Sequence, residues 1–110
     1  MRYLIVPILL LAATLPARAD DTVIPIKLQD HRFTPSEVHV VSGKPVWLEI
    51  TNADATADEF ESGILAIEKI VPAGGHIRVR LRPLAPGRYA FMAEFHAETA
   101  QGVIISDPAP

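Results

Sequence analysis

Apolar residues recur at every second position through most of this chain, and that period admits strands and little else. Ile77, Val79 and Leu81 alternate with His76, Arg78, Arg80 and Arg82, while Val46, Leu48 and Ile50 alternate with Trp47, Glu49 and Thr51. Val38 and Val40 share one side of a shorter run, and Tyr89, Phe91 and Ala93 alternate with Arg88, Ala90 and Met92. Successive strand side chains point to opposite faces, so each run buries one face and leaves the other in water. Residues 22–28 and 102–106 read as further strands, the latter expected to be buried on both sides. The stretch from Glu59 to Val71 reads as one broken strand or two, divided at Gly63. Turn-forming residues separate the runs at Thr34-Pro35-Ser36, Ser42-Gly43-Lys44-Pro45, Pro72-Ala73-Gly74-Gly75 and 83–87. Only Glu94 to Ala100 offers a helical turn. About seven short strands at this spacing predict an all-β sandwich or barrel.

The first residues obey a different rule. Arg2 precedes an apolar run from Tyr3 to Leu15, and Ala17-Arg18-Ala19 fits a small-residue cleavage pattern. This is the layout of a secretory signal peptide, residues 1–19, cut after Ala19. The apolar run is shorter than the roughly 20 residues that span a bilayer, and no later run is long enough. The expected mature chain, residues 20–110, is one small exported domain, placed in the periplasm and not membrane-spanning once cut. Losing Arg2 and Arg18, with no acid, takes the formal charge from −3 to −5. Such an acidic chain has no electrostatic footprint for nucleic acid. Exported domains of this size often use disulfides; with no cysteine, this one relies on its core.

Glu59 and Glu61 are two residues apart, so on a strand both carboxylates leave the same face while Phe60 packs on the other. Glu68 lies in the same connecting region. Oxygen ligands of this kind suit iron, manganese or magnesium, and an added imidazole extends the range to zinc and Cu(II). The plain alternative is a solvated acidic face, with Lys69 as counter-charge. His31 is a weaker candidate, and His39 and His76 read as solvated strand residues. Arg78, Arg80 and Arg82 form a basic stripe, which blunts an edge or meets an acidic partner. No nucleophile elbow or phosphate-binding loop occurs, which sets aside hydrolase and nucleotide-binding readings.

Three stretches taken in order resemble a cupredoxin. Phe33-Thr34-Pro35 leads to Val38-His39-Val40, Gly43 and the run from Val46 to Thr51; Asn52 closes that run; then Gly87-Arg88-Tyr89-Ala90-Phe91-Met92-Ala93 leads to His96 and Gly102-Val103-Ile104. The resemblance covers residues 22–106 and implies a Greek-key β-sandwich. It also exposes departures. Ala93 stands where the copper-binding Cys belongs, Thr99 or a neighbour stands for the axial Met, and the acidic stretch Asp58-Glu59-Phe60-Glu61 replaces the upstream His. A blue-copper centre needs a thiolate and two imidazoles, so type 1 copper is excluded.

Within that superfamily, residues 57–61, Glu68-Lys69 and Pro72-Ala73-Gly74 are similar to the cupredoxin-like domains of the EfeO type, found in bacterial ferrous-iron uptake systems. That resemblance implies a periplasmic component of iron transport that binds or oxidises Fe(II), with other periplasmic or membrane parts of an iron transporter as partners. The cupredoxin arrangement also implies that the segment after Asn52 meets the loop from Ala93 to Gly102 at one end of the sandwich. Glu59, Glu61, Glu68, His96 and Met92 then form the expected metal set, with Glu94 and Glu98 nearby, holding an iron or copper ion. The alternative is a metal-free sandwich that serves as a binding or assembly module of a periplasmic complex.

Overall fold

The structure is a computed structural model that describes residues 2–5, 7 and 22–110. The expected leader and its cleavage after Ala19 lie outside these residues, apart from positions 2–5 and 7. No helix among the described residues is long and apolar enough to cross a membrane.

Alternation became strands as expected. The strands are β1 (Thr22–Gln29), β2 (Arg32–Thr34), β3 (Glu37–Val41), β4 (Val46–Asn52) and β5 (Asp58–Ser62). They continue with β6 (Ile67–Val71), β7 (His76–Leu81), β8 (Gly87–Ala93) and, after a 3-10 turn at Glu94–His96, β9 (Gln101–Asp107). Nine strands among the described residues replace the expected seven or so, because β2 is a three-residue return strand and the Glu59–Val71 stretch is a true hairpin. One sheet runs β2-β1-β4-β7 and the other β3-β9-β8-β5-β6. Two parallel pairings, β1 with β4 and β3 with β9, show that the chain crosses between sheets rather than meandering within one.

Ile26, Leu28, Leu48, Ile50 and Val79 from the first sheet face Val38, Phe60, Phe91 and Ile104 from the second. Full burial of such side chains contributes roughly 1.5–3 kcal/mol each. Phe33, Phe60 and Phe91 form the centre: the Phe33 ring meets the other two edge-on, and Phe60 lies 5.2 Å from Phe91. Strand β9 differs from expectation. Ile104 and Ser106 are buried, but Val103 and Ile105 are only half-buried because nothing among the described residues covers the outer face of this sheet.

Gly102 on β9 is the tightest contact in the core. A Cβ there would collide with the Phe91 ring and lie 2.9 Å from the Ser36 carbonyl oxygen. Phe91 is buried and has nowhere to retreat. Gly102→Ala is therefore expected to cost about 1–3 kcal/mol as overpacking, read as a lowered midpoint in urea unfolding; an unchanged midpoint would contradict the packing described.

Asn52 closes β4 and anchors the connection into β5. It is fully buried, its Nδ2 donates to the Thr56 and Val71 carbonyls at 2.9 and 3.2 Å, and its Oδ1 accepts from the Asp54 amide at 2.9 Å. The connection is thereby held against β6. It delivers Asp58, Glu59 and Glu61.

The basic stripe is occupied by its own neighbours. Arg78 donates to Glu49 at 2.9 Å, Arg80 lies 5.5 Å over the Trp47 ring, and Arg82 reaches the Leu65 carbonyl. Trp47, expected to be exposed, is half-buried as a result.

Candidate metal centre

Period two sorts β5 into two faces. Asp58, Phe60 and Ser62 point inward and are buried, whereas Glu59 and Glu61 point outward and are half-buried. Across the β5–β6 hairpin Glu61 pairs with Glu68, which shares its outward face. On the other side Glu61 pairs with Met92 of β8, also outward and 37% exposed. Glu94 begins the 3-10 turn directly after β8. The carboxylates of Glu59, Glu61, Glu68 and Glu94 each place an oxygen within 4.8 Å of the others. Lys69 does not serve as their counter-charge. It is opposite Phe60 in the register, so it lies on the other side of the hairpin.

Like charges this close oppose the ionisation of Glu59 and Glu61. Partial burial, then the hydrogen bond and charge of Glu94, then Glu68 and Glu61, push the Glu59 carboxyl above its usual range. Partial burial and the charges of Glu94 and Glu68 do the same to Glu61. A divalent cation would relieve the repulsion that raises both.

The expected mixed set divides. Glu59, Glu61 and Glu68 meet, Met92 borders them through its pairing with Glu61, and Glu94 joins them. His96 lies elsewhere: its Nδ1 donates to Asp58 Oδ2 at 2.7 Å, and Asp58 faces inward. Asp58 Oδ1 also accepts the amides of Glu59 and Phe95, at 2.8 and 3.0 Å. The first residue of the acidic stretch thus braces the turn that carries His96. Its role was visible in principle, since Asp58 has the same parity as Phe60.

His31, read as a weaker candidate, stacks on His96 with ring centroids 3.4 Å apart and planes 9° from parallel. Thr99 donates its hydroxyl to the His31 carbonyl at 2.6 Å. Glu98 lines the groove beside them. His39 bonds Asp107 at 2.8 Å on the far edge of the sheet.

Ala93, where a thiolate would be needed, is buried and pairs with Phe60. The sequence profile described as a cupredoxin-like domain matches residues 2–106. The chain belongs to this family. An uncharacterized protein of Rickettsia prowazekii, RP394, is 42% identical to this cupredoxin-like domain over 92 residues, 82% of this chain and 74% of that protein. Among solved structures, the metal binding domain of the Cu(I) exporting P-type ATPase CopA of Streptococcus pneumoniae, with Cu(I), superposes with a TM-score of 0.69 at 16% identity. That match covers 77% of this chain and 84% of that one. Auracyanin A, a blue copper protein of Chloroflexus aurantiacus, gives a TM-score of 0.68 at 14% identity over 80% of this chain and all of that one. These likenesses establish the cupredoxin fold. The missing thiolate still separates this cupredoxin-like domain from a type 1 copper protein.

Proposed function

We propose that this protein is an exported, cupredoxin-like metal-binding protein of the EfeO type that assists ferrous-iron uptake, binding Fe(II) at Glu59, Glu61, Glu68 and Glu94. The convergence of four carboxylates from β5, β6 and the turn after β8 carries this reading. All-oxygen, strongly anionic ligation favours a hard divalent cation such as Fe(II) over Cu(I), which prefers sulfur. Met92 beside Glu61 is a soft neighbour, and its thioether is a group through which a copper ion would compete. The copper-binding proteins that share the fold support a metal-binding role for this one. Delivery to an iron transporter's other components in the periplasm rests on the resemblance to the EfeO type.

The test is a pair of titrations on Glu59→Gln/Glu61→Gln. Affinity at oxygen sites tracks ligand charge, so Fe(II) binding measured anaerobically should weaken by about tenfold or more. Apo stability should hold level or rise at neutral pH, because the amides remove repulsion. The pH dependence has a definite sign. Both carboxyls have folded values above the ordinary range, so their contribution favours the fold below that range and is lost as pH rises through the raised values. The parent should therefore lose stability relative to the double variant between acid and neutral pH. Unchanged iron affinity in the variant would refute the site, and an unfolded variant would mean that the carboxylates serve the structure.

A further inference from the structure

The geometry points to a second metal site, distinct from the carboxylate cluster, in which His31 and His96 bind a borderline divalent cation of the Zn(II) or Cu(II) kind through their Nε2 atoms. Asp58 is 2% exposed and takes the Nδ1 proton of His96. With Nδ1–H directed at Asp58, the neutral ring carries its lone pair at Nε2. A histidine whose other ring nitrogen donates to a buried carboxylate has the usual outer-shell arrangement of a metal-binding imidazole. It also rules out Nδ1 as the ligand atom here.

His31 is held over this ring by separate restraints. The β1–β2 hairpin turns through Asp30 and His31, both with positive φ, 51° and 56°. Asp and His are among the non-glycine residues that tolerate this conformation, and the turn seats the imidazole on the His96 ring. The Asp54 carboxylate accepts the amides of Asp30 and His31 at 2.7 and 3.0 Å, and Thr99 fixes the His31 carbonyl. Asp54 Oδ2 also lies 4.0 Å from His31 Nε2. The Asp54 carboxylate thus stands beside the His31 ring as well as under its turn.

The pair opens onto a groove of about 480 Å³ that Glu94 and Phe95 also line. The His31 side chain is 42% exposed, so its ring is free to tilt from the stack and turn Nε2 toward that of His96. Imidazole nitrogens suit zinc and copper rather than the harder ions that carboxylates favour. The two sites thus differ in the cations they select, and this proposal stands whether or not iron occupies the cluster.

Zn(II), being diamagnetic, is the probe. Long-range proton–nitrogen NMR spectra of the whole protein at neutral pH, with zero to two equivalents of Zn(II), read each ring nitrogen separately. The Nε2 signals of His31 and His96 should shift together and saturably, while His39 and His76 stay still. His31→Asn suits the left-handed turn position and should weaken the zinc-dependent shift of His96 by at least the roughly tenfold that an outer-shell change alone costs. Histidine nitrogens unmoved at two equivalents, or His96 moving alone, would overturn the paired site. So would a His31→Asn protein in which His96 responds with the parent's affinity. The wild-type spectra decide the matter even if that variant does not fold.

Discussion

Phe60→Ala should lower the unfolding free energy by about 3–5 kcal/mol, the range for emptying a buried aromatic site. Phe60 is 1% exposed and is packed between Phe33 and Phe91, so no neighbour can collapse into the space without losing its own ring contact. The effect on iron should be small in a protein that remains folded, because the ring faces away from Glu59 and Glu61 on the same strand. Urea denaturation with and without Fe(II) separates these two results. A loss under about 1 kcal/mol would mean that the aromatic centre is not the tight assembly described.

Asn52→Ala should cost on the order of 3 kcal/mol. Three hydrogen bonds vanish at once; the Val71 carbonyl loses a buried donor and the half-buried Asp54 amide loses its acceptor. Unlike the phenylalanine change, this one should also disturb metal binding. The connection from β4 to β5 would lose its anchor, and with it the placement of Asp54 and Asp58. Stability and Zn(II) or Fe(II) affinity should fall together in Asn52→Ala, whereas Phe60→Ala should affect stability alone. Separable effects in both variants would show that the loop does not position the site.

Much of this was legible in the sequence, because parity along a strand is a local property. Ile77, Val79 and Leu81 announced their buried face, and the two-residue spacing of Glu59 and Glu61 announced a shared outward face. Glu68 joined them because a tight hairpin fixes register over a few residues. The aromatic and glycine pattern of β8 and β9 carried the family, and the absent thiolate was explicit. Asp58 could have been recognised as an inward residue from its parity with Phe60, but in the sequence it reads only as part of the acidic stretch that replaces the upstream His. The stack of His31 on His96 was not legible. It depends on a left-handed turn near one end of the chain meeting a 3-10 turn far along it, and no local period encodes such a meeting. The same separation explains why His96 left the carboxylates: once its Nδ1 is bonded to an inward-facing partner, its ring cannot also reach the outer face.

Strand β6 lies at the end of its sheet and leaves a row of backbone groups open, with Ile70 half uncovered beside them. An open edge of this kind invites another copy of the chain to add a strand and continue the sheet indefinitely. A second copy that set its own β6 against this one would bring its Glu68, and the carboxylates clustered with it, toward the resident four. The same crowding of like charge that a cation would relieve therefore also opposes the pairing of two copies through this edge.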